Sequence, residues 1–224
     1  MNIFALSTNP TKAARMMCDK HIPKMIVESA QMMASALRRH EESVLFAFSS
    51  ALSSFDDMDE LFTHHGVLTK KNTPYKGGYA HHPCTVWTGD SWGNFMWLAQ
   101  HAQALLIEFS MRFGQSKVHH ACWTPINNMK AFGQMMQSKN KQAKTPFAMA
   151  MPDEYKREGK EVLAYRDYYF AEKSDFAKWE RGRDAPDWWV DKVFETVPSP
   201  TPQHIYPFRT EFGPLSEVEG SREE

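Results

Sequence analysis

"SWGNFMWLAQHAQALLIEFSMRFG", residues 91–114, carries the clearest helical pattern in the chain. Asp90 or Ser91 stands where an N-cap accepts the first free amide hydrogens, and Gly114 stands where a helix closes. A second helical run precedes it. Asn9-Pro10 reads as an N-cap followed by proline at the first helical position, and the pattern continues towards His40. Pro23 is expected to kink that run or divide it in two. Within it, Ile22, Met25, Ile26, Ala30, Met33 and Leu37 fall on one face of a 3.6-residue period. Short helices are expected around Val44–Phe48 and Leu61–Phe62. "YRDYYFAEKSDFAKWERGR" (165–183) reads as a further amphipathic helix closed by "DAPDWW" (184–189). No stretch alternates long enough for a sheet, and no internal repeat is present. The fold class is therefore mainly α: a single compact helical domain over residues 1–193 with a long central helix. A Gly-, Lys- and aromatic-rich loop is expected over residues 69–91, and a Pro-rich acidic tail over residues 194–224.

Composition bounds the class without naming a partner. At 224 residues, with 42% hydrophobic and 24% charged residues, the chain can bury a core without staples. Fourteen Met and seven Trp fit a helical core or an adaptable binding surface. Three cysteines, no basic-then-apolar start in "MNIFALSTNP" and no run near the roughly 20 apolar residues of a membrane span point to a reduced, cytoplasmic protein with free thiols. The formal charge of −1 hides an asymmetry. Residues 195–224 hold two basic and six acidic residues, leaving 24 basic against 21 acidic in the body, which permits a local nucleic-acid patch without demanding one. The stretch Gln134–Lys144 reads as solvated.

"CDKHIPKMIVESAQMM" (18–33) sets polar residues beside the apolar stripe of the second helix. His21, Lys24, Glu28, Gln31 and Ser35 share one face. One reading is a solvated flank with an i,i+4 Lys24–Glu28 pair; the other is an imidazole and a carboxylate placed in a cleft for proton transfer.

The run Asp19-x-His21-x6-Glu28 resembles the D-x-H-x6-E segment of the phage pyrimidine-dimer DNA glycosylases, small all-α enzymes that cut the glycosidic bond of damaged thymines. The similarity continues in order. "MNIFAL" resembles the family's apolar N-terminal arm. "HPCTVWTGDSWGNFMWLAQHAQALLIEFSMRFG" resembles its central helix with the preceding H-P loop. "MPDEYK" followed by "AYRDYYFAEKSDFAKWERGRDAPDWW" resembles its last segment. Coverage is roughly residues 1–190, with insertions near 40–75 and 115–150. The chain is also similar to a set of phage proteins with D-K-H, H-P-x-x-x-W and A-M-P-x-x-Y motifs.

The resemblance implies a DNA glycosylase acting on damaged or modified pyrimidines in double-stranded DNA, with or without strand scission, in the host cytoplasm if phage-encoded. The implied nucleophile is an α-amino group, which titrates near about 7.7–8.0 against about 10.4 for Lys and so is far more often free base at neutral pH. Asn2 is bulky for removal of the initiator methionine, so the retained Met1 amine takes that role. By position, Glu28 matches the family's carboxylate and His21 a substrate-contacting histidine. The family has arginines where this chain has Ile26 and Val27, so phosphate contacts are assigned to Lys20, Lys24, Arg38, Arg39, Lys70, Lys71 and Lys76. No cofactor is implied. Two alternatives stand beside this: an enzyme on the same scaffold acting on a modified base or nucleotide, and a non-catalytic module binding DNA or a host protein.

"HHPC" (81–84), "HHAC" (119–122) and His64-His65 offer metal-ligand chemistry without C-x2-C spacing. No metal is assigned, and His82 and His119 are taken to line the DNA cleft. Most tryptophans read as core, with one or two open to stacking on a base; Trp87 is assigned to DNA. Arg181 and Arg183, among Glu180, Asp184 and Asp187, read as a salt-bridged helix end. Oligomeric state does not follow from the sequence.

Overall fold

The computed structural model describes residues 1–49, 54–114, 120–133 and 143–196. Among them the architecture is mainly α, as expected, with a single isolated bridge between Leu68 and Pro74 in place of any strand. Nine helices follow in order: α1 Pro10–Arg15, α2 His21–Arg39, α3 Glu41–Phe48, α4 Met58–His64, α5 Pro83–Asp90, α6 Trp92–Phe113, α7 Trp123–Gly133, α8 Glu161–Lys173 and α9 Asp187–Thr196. The long α6 is the axis of the molecule, packed against α1, α2, α5 and α7. No helix is long and apolar enough to cross a membrane among the described residues.

The caps form as the chemistry dictates. Asn9 accepts from Lys12 N, with Pro10 in the first turn of α1, and Ser91 rather than Asp90 caps α6 by accepting from Asn94 N. The division expected at Pro23 falls slightly earlier. The chain breaks at Met16–Lys20, and Pro23 sits in the first turn of α2, where its missing N–H has no partner to lose. From there α2 buries Ile22, Met25, Ile26, Ala30, Met33 and Leu37.

Three expectations need correction. The loop over 69–91 ends at His82, because Pro83 starts α5 and the His82 side chain caps it by accepting from Cys84 N. The helix expected over 165–183 is α8, which stops at Lys173, while Trp188 and Trp189 open α9 instead of ending a helix. That last helix runs to Thr196, across the expected boundary at 193/194. A further helix with no counterpart among those expected, α7, buries Ile126, Met129 and Phe132. Gly133 closes against Phe95, whose ring a Cβ there would meet at 2.1 Å. Residues 197–224 of the expected tail, and 134–142 of the Lys/Gln-rich stretch, lie outside the described residues.

Two features hold the site-bearing segments. An extended strap, residues 143–151, crosses the ends of α5 and α6. Asn94 binds Thr145 through backbone and side chain, Trp87 Nε1 donates to Pro146 O, and Tyr165 Oη donates to Ala148 O. Beneath the α1–α2 junction lies a charged cluster. Arg112, with its side chain fully buried, donates to the carbonyls of Arg15 and Met17 and to the carboxylates of Asp19 and Glu108. Arg183 makes a two-pronged pair with Glu108, and Asp19 accepts from Glu180 N. Two anions therefore face the guanidinium groups of Arg112 and Arg183, with that of Arg15 3.9 Å from Glu108, where an isolated charge would be costly. The pair also holds the Glu108 carboxyl below its usual range against the opposing effect of burial.

Candidate active site

The N-terminal arm is a buried strand of chain rather than a loose end. Asn2, Ile3, Phe4, Ala5 and Leu6 are all buried. Asn2 explains how so short a segment is held. Its Oδ1 accepts from Ile3 N at 2.8 Å and Phe4 N at 2.9 Å, and its Nδ2 donates to Ala150 O at 2.8 Å. Phe4 takes a left-handed φ of +36°, and Leu6 N turns back to Phe4 O at 2.7 Å. Arg166 Nε donates to Leu6 O from α8. The Phe4 ring stacks on His21 with centroids 5.0 Å apart and meets Tyr169 edge-on.

This arm brings the first residues of the chain to the polar face of α2. Asn2 N donates to Glu28 Oε2 at 3.0 Å, and the Lys24 ammonium lies 3.7 Å from Glu28 Oε1. The Glu28 side chain is 15% exposed. Met1 is half-buried, and its sulfur accepts from Thr85 Oγ1 of α5. The charge of the Met1 amino group is felt nearby. Burial first, and that positive charge second, hold the His82 imidazole below its usual range, while Glu28 pulls it the other way. Burial pushes the adjacent Cys84 thiol up to about 11, which keeps it protonated at ordinary pH.

A cavity of about 350 Å³ opens at this junction. Met1, Asn2 and Glu28 form one end; Phe4, His21, Tyr168 and Phe176 form aromatic walls; Lys20, Lys24 and Lys173 stand around it. His21 is buried, and its Nδ1 lies 2.7 Å from Tyr169 Oη. Burial, then the charges of Lys24, Lys173 and Lys20, lower its pKa to about 4, so the ring is neutral at ordinary pH. The arrangement sets the first peptide of the chain against a carboxylate, with aromatic rings and three lysine side chains lining the same cavity.

Of the residues singled out from sequence, Met1, Lys20, His21, Lys24 and Glu28 come together here, with His82 beside them. Arg38 and Lys76 do not join them; both grip Asp59, whose carboxyl they hold below its usual range, and Arg38 also donates to Tyr75 O. Arg39 pairs with Asp90. Lys70 and Lys71 are exposed at the turn closed by Thr69 and Thr73. Trp87 is a correction: it is buried, packed against Trp97 and Phe147, and presents no face to DNA. His119 lies outside the described residues.

Asn2, Tyr168, Lys173 and Phe176 were not anticipated. The tyrosine triplet Tyr165, Tyr168 and Tyr169, at i, i+3 and i+4 on α8, was the available signal for a packed aromatic face. Among the described residues no three His, Cys, Asp or Glu side chains are grouped to hold a metal.

The family model for pyrimidine dimer DNA glycosylase matches residues 1–118, just over half of the 224-residue chain. No curated protein and no solved structure matches it. The matched span contains the arm, Glu28 and α6; Tyr168, Lys173 and Phe176 lie beyond it.

Proposed function

The chain belongs to the pyrimidine dimer DNA glycosylase family, and from that premise we propose that it excises an altered pyrimidine from double-stranded DNA using the Met1 α-amine and Glu28. The free amine attacks C1′ of the target nucleotide, and the C1′–N bond breaks with its electron pair leaving on the base. Loss of the amine proton and opening of the C1′–O4′ bond give an imine. Removal of a C2′ proton then expels the 3′ phosphate and cuts the strand. Glu28 stabilises cationic character at the sugar and carries protons. His21, neutral in the fold, serves as a hydrogen-bonding contact to the nucleotide rather than as a charged acid. Lys20, Lys24 and Lys173 meet the flanking phosphates, and no cofactor is required.

The observation that carries this is the 3.0 Å hydrogen bond from Asn2 N to Glu28 Oε2, which sets the first peptide of the chain against the carboxylate inside the cavity. Borohydride trapping tests it. Untagged protein with duplex DNA bearing a pyrimidine dimer or an abasic site should give a covalent adduct at the N-terminal peptide. N-acetylation should abolish the adduct, and Glu28→Gln should cripple base release. DNA binding without any adduct would overturn the reaction and leave a non-catalytic DNA module.

A second reading rests on Val27, which is 37% exposed next to Glu28 where the family places an arginine. An apolar side chain there favours a modified base or free nucleotide over a dimer. Release of such a base without strand cutting, and no action on dimers, would select it.

A further inference from the structure

Behind the cavity wall, on α8, Tyr169 is fully buried, and its hydroxyl is shared among three groups. Cys18 N donates to Oη at 3.1 Å, His21 Nδ1 lies 2.7 Å from it, and Cys18 Sγ stands 3.3 Å away as an alternative acceptor. A phenol oxygen carries one proton and two lone pairs. The Cys18 amide takes one lone pair, so Nδ1 and Sγ compete for the proton. The unprotonated imidazole nitrogen is much the better acceptor, since sulfur is a weak one. The distance agrees: 2.7 Å suits a hydroxyl donor, whereas an N–H donor to oxygen settles near about 2.9–3.0 Å.

The His21 ring is not free to exchange its two nitrogens. Phe4 stacks on it at 5.0 Å, while Tyr169 and Phe176 meet it edge-on at 5.2 and 5.4 Å. A half-turn would set a ring carbon against the buried hydroxyl and forfeit the bond. Burial, then the charges of Lys24, Lys173 and Lys20, keep the ring neutral, so it holds a single proton. With Nδ1 accepting, that proton sits on Nε2. This nitrogen has no protein partner among the described residues, and it belongs to a ring that lines the cavity.

We propose that Tyr169 is a positioning residue, whose hydroxyl donates to His21 Nδ1 and fixes the imidazole as an Nε2–H donor for the cavity. The inference rests on the glycosylase reading above and deepens it. A fixed donor selects an acceptor oxygen on the nucleotide that lies against Met1 and Glu28, and turns away a donor group in the same place. The state of one imidazole nitrogen is set by the bond that the other makes. A donor oriented before the substrate arrives needs no reorganisation during the reaction.

The tautomer is read in the free, untagged protein by NMR of nitrogen-labelled histidines, with His21→Gln giving the assignment. Nδ1 should appear as an unprotonated, pyridine-type nitrogen and Nε2 as a protonated, pyrrole-type one. Tyr169→Phe should shift the Nδ1 resonance and let the two tautomers exchange, whereas Cys18→Ala should leave the His21 pattern unchanged. Loss of the acceptor for the Cys18 amide should lower the Tm of Tyr169→Phe by about 2–12 °C, so rates are measured well below that midpoint. On abasic duplex DNA, Tyr169→Phe should slow borohydride trapping about ten-fold, the loss of one ordinary hydrogen bond. In a His21→Gln background the same substitution should cost nothing more, because its effect passes through the ring. A general disturbance of packing would slow both backgrounds alike. A proton on Nδ1 in the parent, a His21 spectrum indifferent to Tyr169→Phe, or an equal loss in both backgrounds overturns the proposal. A parent that holds the Nε2–H form through Tyr169 yet gives no adduct sinks the glycosylase reading and leaves the assignment of the ring standing.

Discussion

Asn2→Leu is the sharpest probe of the arm. Leucine is close in shape, has no hydrogen-bonding group, and is large enough to keep Met1 from being removed as it would be before alanine. The substitution strands two buried backbone donors, Ile3 N and Phe4 N, and takes the donor from Ala150 O. Ile3 is fully buried and Phe4 nearly so, which leaves no water to replace the lost oxygen. Two unsatisfied buried amides cost about 1–3 kcal/mol each, and the added apolar contact returns about 1 kcal/mol. The expected net loss is about 3 kcal/mol, a fall of about 6–12 °C in Tm for a chain of this size. Because Asn2 N contacts Glu28 Oε2, displacement of the arm by even 1 Å should also slow imine trapping by about 100-fold. Urea denaturation reads the first effect, borohydride trapping the second, and hydrogen exchange at residues 2–6 detects an arm that detaches alone. Stability within about 0.5 kcal/mol of the parent, with unchanged exchange and trapping, would show that Asn2 does not hold the arm.

Three further outcomes follow from the same structure. Arg112→Met should cost about 3–5 kcal/mol in urea denaturation, since it leaves Asp19 and Glu108 buried with fewer partners; a loss below 1 kcal/mol would mean the cluster does not hold the α1–α2 junction. His101 is fully buried, with its pKa lowered to about 4 by burial. Its unfolded ring binds a proton near 6.5, so between about pH 6.5 and 4 the unfolded chain holds more protons and stability falls as pH falls. His101→Phe should remove about one proton from that dependence, measured by denaturation across pH 4–7, and an unchanged slope would contradict it. Lys173→Gln should weaken DNA binding uniformly across sequences and lower the slope of log K against log salt by about 0.9; a slope equal to the parent's would remove Lys173 from the phosphate contacts.

What the sequence disclosed, and what it withheld, divides along physical lines. α2 and α6 were readable because their signals are local: Asn9 and Ser91 as caps, and a 3.6-residue apolar face from Ile22 to Leu37. α5 was hidden because Pro83 and Gly89 read as breaks, whereas the first is a helix start and the second makes room for the Arg39 guanidinium, which a Cβ would meet at 2.7 Å. Periodicity offered His21, Lys24 and Glu28 as one face but could not choose between solvent and cleft; the choice came from the family resemblance. The arm's approach to that face depends on Asn2 reaching Ala150, a pairing 148 positions apart that no local pattern encodes. Trp87 misled for the converse reason, since its spacing carries no sign of the depth at which Trp97 and Phe147 enclose it.

The charged cluster sets a lower limit on how short this chain can be made. The family-matched residues 1–118 contain Met1, Glu28 and the whole of α6, and look like a natural cut-down version. Severed there, Glu108 would face only the guanidinium groups of Arg112 and Arg15, Asp19 would lose the Glu180 amide, and the pocket would lose Tyr168, Lys173 and Phe176. The second half of the polypeptide is thus an integral wall of the first, and a shortened chain would have to replace the Arg183 and Glu180 contacts as well as the missing pocket side chains.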